Sequence, residues 1–231
     1  MPPLIPQLDK VSFGFSQASD GDMSRHHGFA NRLTFLEQQG FSAQRIVHAG
    51  SVHGNTTSVI TAQQGGQIIE GSDGLITADI NVILTATAAD CLIVFAVDPV
   101  EHVVGILHAG RKGLAIRAIT EFFQTWQKHF PATNVKNIVV DVSPRICGQH
   151  YTVLPDVAQQ FVTWPAACQM DGSVIHLDLQ TVAQSQLLEA GLGVDRIRFA
   201  PVCTFENTTY FSHRRDRANP IQVQVGWLKQ G

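Results

Sequence analysis

Between Val103 and Val142 the chain passes through an apolar run, an amphipathic stretch and a second apolar run. This succession limits the fold more than any other feature. Val103-Val104-Gly105-Ile106-Leu107 reads as a buried strand because its apolar character is continuous. Over residues 113–128, Leu114, Ala118, Phe122 and Trp126 recur at every fourth position, flanked by Ile119 and Phe123. Arg117, Glu121, Gln124 and Gln127 take the other face, which predicts a helix with one buried side. Residues 138–142 predict the next strand. Strand, helix and strand make a βαβ unit whose first strand ends at His108, and function often sits in the loop leaving the carboxyl end of such a strand.

The remaining pattern changes type often. Residues 11–15 alternate like a strand, 16–27 read as a polar loop, and 29–39 predict a helix closed by Gly40. Short strands are expected at 45–48, 57–60 and 67–69, another from about Leu75, and a buried one at 91–97. Asp178 is a good N-cap for a helix reaching Ala190 and closed by Gly191. Strands near 196–199 and 221–225 follow. With no repeat, no low-complexity segment and no long linker, residues 1–231 are expected to form one domain.

Composition narrows the function. A chain of 231 residues with 44% hydrophobic side chains can bury a substantial core. A formal charge of -3, only 15% charged residues and no long basic run exclude nucleic acid as an expected partner. Cys91, Cys147, Cys168 and Cys203 form no C-x-x-C pair, a pattern suited to a reducing compartment. Met1-Pro2-Pro3-Leu4-Ile5-Pro6 has no basic or sustained apolar region, so no signal peptide is expected. The most apolar stretch, 82–97, carries Asp90 and threonines and is too short to span a bilayer. The expectation is a cytoplasmic protein with no membrane partner.

Three short segments carry the candidate chemistry: Val52-His53-Gly54-Asn55, Ala89-Asp90-Cys91-Leu92 and Leu107-His108-Ala109-Gly110. Two histidines and a cysteine suit Zn²⁺, and three protein ligands leave a fourth position open for water or substrate. Each residue also has an ordinary reading. His53 fits a turn histidine and Cys91 a small core hydrophobe. A carboxylate beside a core cysteine needs partners, however, which makes Asp90 notable. Ala109 and Gly110 behind His108 would let a ligand approach closely. Near the C-terminus, Arg214 and Arg215 can fork onto phosphate or carboxylate. In a strand they would face opposite ways, and a solvated pair bridging to Asp216 or Glu206 is the plain alternative.

Taken in order, S-V-H-G-N, A-D-C-L, H-A-G-R-K-G-L-A, S-P-R-I before Cys147, C-T and Y-F-S-H-R-R-D resemble the YfiH/laccase-domain family. That family is also called the multicopper polyphenol oxidase or purine nucleoside phosphorylase family. The similarity runs from Gly14-Phe15-Ser16 through Asn31-Arg32 to Trp227-Leu228-Lys229. It implies an α+β fold, a single-domain four-layer αββα sandwich with mixed β-sheets. It implies a zinc site at His53, Cys91 and His108, with copper as the alternative metal, and catalytic roles for Cys91, His108 and Asp90. Ser16, Asn31, Lys112, Arg214 and Arg215 are the implied substrate-binding positions. The implied activity is phosphorolysis of adenosine, inosine or methylthioadenosine, with adenosine deamination beside it, so the partners are a purine nucleoside and phosphate.

The chain departs from the family pattern around this ligand set. H-A-G-W-R-G reads His108-Ala109-Gly110-Arg111-Lys112-Gly113, so Lys112 puts a point charge where relatives have a forked guanidinium. The glutamine two before the first ligand is Ser51, the threonine three before the cysteine is Ala88, and the proline two after it is Ile93. G-F-S-T-R becomes Gly14-Phe15-Ser16-Gln17-Ala18, and C-C-Y-E becomes Gln149-His150-Tyr151-Thr152.

Three other functions compete. One is a hydrolase with Cys91 as nucleophile and His108 as its base, which a bound metal would disable by occupying the thiolate. A copper-dependent polyphenol oxidase needs clustered histidines, and no H-x-H triplet is present. A non-catalytic metal- or nucleotide-binding homologue is the third, suggested by the altered substrate shell.

Overall fold

The computed structural model describes residues 4, 5, 8, 10–218 and 220–231. Met1, Pro2, Pro3 and Pro6, on which the expectation of no signal peptide largely rests, lie outside them. In chain order the first half holds β1 (Val11–Phe15), α1 (Phe29–Gln38), β2 (Ile46–Ala49), β3 (Thr57–Val59), β4 (Ile68–Ile69), β5 (Gly74–Thr77), β6 (Ile83–Ala88), β7 (Leu92–Asp98) and β8 (Val103–Ala109). There follow α2 (Arg111–Ala115), α3 (Ala118–His129), β9 (Val139–Val142), β10 (Thr152–Val153) and α4 (Pro155–Ala158). The last are β11 (Cys168–Asp171), β12 (Val174–Leu177), α5 (Leu179–Glu189), β13 (Ile197–Phe199), α6 (His213–Asp216) and β14 (Gln224–Gln230).

Side-chain alternation builds the layers. A five-stranded sheet has the order β1-β14-β6-β2-β4 and a six-stranded sheet the order β13-β9-β7-β8-β5-β3, both mixed in direction. Ile93, Phe95, Val97, Val104 and Ile106 on one face of the six-stranded sheet pack with Val47, Leu84, Ala86 and Leu228 of the five-stranded sheet. The intervening residues Leu92, Val94, Ala96, Val103 and Leu107 point the other way, onto Phe122, Trp126, Val182 and Leu187 of α3 and α5. Leu36 of α1 packs with Ile46 and Ile83 on the far side of the five-stranded sheet. The result is the expected order helix, sheet, sheet, helix. Each fully buried large side chain in these layers contributes about 1.5–3 kcal/mol relative to exposure.

Three connections position the site. β2, β4 and β6 run parallel in the five-stranded sheet. From its carboxyl end each crosses to the six-stranded sheet, to begin β3, β5 and β7 respectively. The crossings are residues 50–56, 70–73 and 89–91. β8 is antiparallel to both β5 and β7, so it ends where they begin, and Leu92 pairs with Ala109. His53, Asp73, Cys91 and His108 thus come to one end of the sandwich.

Several expectations need correction. The helix predicted over 113–128 is two helices, broken at Arg117, whose φ is 63°. Buried Gln186 of α5 makes the break tenable. Its Nε2 donates to the Leu114 carbonyl at 2.8 Å, and its Oε1 accepts the Ile119 amide at 3.2 Å. The βαβ unit exists, but its strands are not neighbours. β8 and β9 are parallel with antiparallel β7 between them. The strand expected at 221–225 is β14, which runs on to Gln230 because β6 and β1 pair along both its edges. The apolar stretch 82–97 is two strands in different sheets, parted at Asp90 with φ 79°. The small sheet β10-β12-β11 went unread because its strands are short and largely exposed. Gly40 and Gly191 close their helices as expected, with φ of 83° and 98°. Among the described residues no helix is long and apolar enough to cross a membrane.

Candidate metal centre

His108 shares a face of β8 with Val104 and Ile106, so its ring turns toward the space between the sheets at the end where the crossings lie. His53 and Cys91 arrive from the first and third crossings. One nitrogen of each histidine and the Cys91 sulfur all lie within 4.8 Å of one another. The two imidazoles stand perpendicular, with centroids 4.8 Å apart. Gly110 completes the arrangement. A Cβ built there would fall 2.8 Å from His53 Cδ2 and 2.9 Å from Cys91 Sγ, so a side chain would fill the space the donors face.

The middle crossing supplies the residue that orders the other two. Asp73 is fully buried. Its Oδ1 accepts His108 Nδ1–H at 2.8 Å and the His53 amide at 2.9 Å, and its Oδ2 accepts the Gly54 amide at 2.7 Å. A carboxylate accepts only, so the proton of neutral His108 sits on Nδ1 and its Nε2 lone pair is free for a metal. Ser51 and His53 both take positive φ, 51° and 66°. Non-glycine residues in that region cost about 1–3 kcal/mol each, and the two amide bonds to Asp73 hold the loop there.

Charge is shared across the cluster. Burial works most strongly against the Cys91 thiolate, but hydrogen bonds from His108 and His53 and their positive charges outweigh it and lower the thiol to about 6. Burial likewise opposes the charged form of His108, yet its bonds to Asp73 and Cys91 and the nearby negative charges raise it to about 9. Asp73 is held below the usual carboxylate range, because its bonds from His108, Gly54 and His53 outweigh its burial.

Tyr151, Arg111 and Arg214 lie near the cluster. Burial and the Cys91 charge push the Tyr151 phenol up, while the Arg111 and Arg214 guanidiniums pull it back. The Arg214 guanidinium lies 4.6 Å from the Tyr151 ring centroid and donates to the Thr152 carbonyl at 2.9 Å. Asp90 does not turn toward the three clustered donors. Its Oδ1 accepts the Thr204 hydroxyl at 2.6 Å, and its Oδ2 accepts the Arg214 amide at 2.7 Å.

The other sequence candidates are placed as follows. Lys112 is exposed in the first turn of α2. The Ser16 hydroxyl accepts the Val225 amide, and the Asn31 amide group donates to the Asp20 and Asp22 carbonyls. Arg215 spends its guanidinium on the Thr204, Phe205, Asn207 and Tyr210 carbonyls and on Asp216. It is not in a strand but in α6, and its tie to Asp216 is the plain alternative that the sequence offered. Sequence reasoning missed Asp73, which reads as a turn residue before Gly74, and gave no role to Arg111 or Tyr151. Tyr151 carried one signal, the only residue kept where relatives have C-C-Y-E.

The donor set fits a metal on its own chemistry, with one thiol of low pKa, two imidazoles, a carboxylate fixing one ring and a glycine leaving the middle open. A family profile described as multi-copper polyphenol oxidoreductase laccase matches residues 11–228. A purine nucleoside phosphorylase of Streptomyces coelicolor is 32% identical over 208 residues, covering 86% of this chain and 81% of its own. The purine nucleoside phosphorylase YlmD of Bacillus subtilis is 30% identical over 200 residues, covering 81% and 72%. The crystal structure of YlmD from Geobacillus stearothermophilus has a TM-score of 0.90 at 26% identity, covering 97% of this chain and 93% of that one. With its profile, its relatives and its fold in agreement, the chain belongs to the laccase-domain family of YlmD- and YfiH-type proteins.

Proposed function

We propose that the chain holds zinc at His53, Cys91 and His108 and cleaves purine nucleosides with phosphate. The observation that carries this reading is the convergence of three donors near Tyr151, with Arg111 beside its phenol and Arg214 over its ring. The names of the relatives point to the same substrates. When bound, zinc would supply a Lewis acid able to polarise a substrate oxygen or acidify a water.

The chain's own residues do the rest. Arg111 and Arg214, with Lys112 at the rim, attract and orient phosphate. Tyr151 offers an aromatic face and a protonated phenol to the nucleoside. A phosphate oxygen bonds to the ribose anomeric carbon as the bond from that carbon to the purine nitrogen breaks, and the proton that hydrogenphosphate loses passes to the departing base. Asp73 keeps His108 in one tautomer, and Asp90 positions Arg214. Adenosine deamination would use the same centre with water as nucleophile.

A second reading has an observation of its own. Cys91, His108 and Asp73 also form a thiolate, imidazole and carboxylate sequence, which suits a cysteine hydrolase. One experiment separates them. Purified protein is assayed for zinc and copper by plasma mass spectrometry, then for base release from adenosine, inosine and methylthioadenosine with and without phosphate. Full zinc with phosphate-dependent release, both lost in His108→Ala, supports phosphorolysis. Activity that rises when metal is stripped supports the hydrolase. Full copper with phenol oxidation supports the oxidase, and a loaded but inactive protein is a binding module.

A further inference from the structure

A second cluster of ligand side chains lies next to Tyr151 in the chain, beginning with the turn that precedes it. Cys147 and His150 bracket one tight turn, and Cys203 and Glu206 bracket another with the same spacing. Their four donor atoms lie within 4.8 Å of one another. Written as sequence, C-G-Q-H and C-T-F-E are two C-x-x-ligand pairs, the spacing by which tight turns present zinc ligands.

The distances centre on one atom. His150 Nδ1 lies 3.2 Å from Cys147 Sγ, 3.9 Å from Cys203 Sγ and 3.4 Å from Glu206 Oε1. One N–H cannot serve three acceptors. A tetrahedral Zn²⁺ with ordinary bond lengths would hold sulfur and nitrogen about 3.6 Å apart, and nitrogen and oxygen about 3.4 Å apart. The ring is already oriented, stacked on Phe205 at 4.6 Å and 13°. The Cys147 amide donates to Cys203 Sγ at 3.2 Å, a bond that stabilises negative sulfur.

We propose that Cys147, His150, Cys203 and Glu206 form a second zinc site, closed by four protein ligands and structural in role. Two thiolates and an imidazole select zinc over magnesium or calcium, whose preferred ligands are oxygens. The ion would staple the turn that leads into Tyr151 to the segment that leads into Arg214. Those segments already meet through the Thr204 amide bond to the Arg145 carbonyl at 2.9 Å and the Cys147 amide bond to Cys203 Sγ. The second site would therefore hold Tyr151 and Arg214 in place beside the first without touching substrate.

The test separates the two sites by removing the first. Cys91→Ser should retain one zinc per chain after dialysis, where the wild type retains two. Cobalt titrated into metal-free Cys91→Ser should give thiolate charge-transfer absorbance that saturates at one equivalent and disappears in Cys91→Ser/Cys147→Ser. Added zinc should raise the melting temperature of Cys91→Ser. Should the double variant fail to fold, the titration and melting of Cys91→Ser decide alone. A folded Cys91→Ser that binds neither zinc nor cobalt overturns the proposal, as does a Cys147–Cys203 disulfide found by non-reducing peptide mapping of freshly purified protein.

Discussion

Asp90 Oδ2 accepts the backbone amide of Arg214 at 2.7 Å, joining the residue before the candidate thiol ligand to the arginine that lies over Tyr151. Its Oδ1 takes the Thr204 hydroxyl, and its backbone carbonyl takes the Ile146 amide. One residue therefore gathers the thiol crossing, the turn before Tyr151 and the arginine segment. Asp90→Ala leaves two donors without their acceptor and should cost about 2 kcal/mol in urea unfolding. Asp90→Asn, which can accept one bond and donate the other to the Thr204 oxygen, should cost less than half as much. Zinc content should not change in either. Loss of zinc from the asparagine variant would mean that Asp90 acts on the metal directly.

Asp73 fixes the tautomer of His108. Asp73→Asn should lower zinc affinity roughly 10–100-fold in chelator competition, the usual effect of removing a group that orients a ligand. His53 should also loosen, because the same side chain anchors its loop. An unchanged affinity would show that the His108 ring is held by packing alone.

Gly110→Ala tests the open middle of the centre. Its Cβ would meet His53 and Cys91 within 3 Å, while the backbone keeps an ordinary extended conformation with φ of -83°. The variant should melt close to wild type, yet bind zinc at least about tenfold more weakly. Wild-type affinity would mean that the donors close around a point away from Gly110.

The lowered Cys91 pKa gives a pH signature in metal-free protein. A thiol brought down to about 6 is thiolate above that pH and loses the charge as pH falls through it. Iodoacetamide should therefore modify Cys91 with a half-maximal rate near pH 6, against about 8.5 for an ordinary thiol. Cys168, whose thiol burial pushes up, should lag behind it at pH 7. Zinc should protect Cys91. A midpoint above 8 would remove the support that the two histidines are held to give.

The break between α2 and α3 is a stability prediction. Gln186→Leu fills the same space without bonding to Leu114 or Ile119, so it should destabilise the fold by about 2 kcal/mol with no change in metal content. A neutral result would show that water replaces the side chain.

The cluster of His53, Cys91 and His108 stood out in the sequence because each lies beside small or polar residues, Cys91 and His108 next to strand ends and His53 in a turn between strands, a pattern carried by adjacent positions. Asp73 did not, because its role depends on three partners distant in sequence, and nothing at Ser72-Asp73-Gly74 announces them. The helix over 113–128 read as continuous because Arg117 fits the polar face. Its left-handed backbone is stabilised from α5, a contact that periodicity does not encode. Arg214 and Arg215 looked equivalent in sequence. Only the fold separates them, one lying against Tyr151 and the other consumed by four backbone carbonyls.

The three crossings give the sandwich two unlike ends. The return connections, from β3 to β4 and from β5 to β6, turn at 60–67 and 78–82, and no histidine or cysteine occurs there. Those turns carry capping bonds such as the Gln63 amide to Thr61 and the Asn81 amide to Asp79. Chemistry and mere connection are thus assigned to opposite poles of the same strands. Sequence added at the connecting pole lengthens a loop at little cost, since closure entropy grows slowly with length. A residue added to any of the three crossings would displace a ligand, or the carboxylate that aims one. Variation in length should accumulate at one pole and be barred from the other.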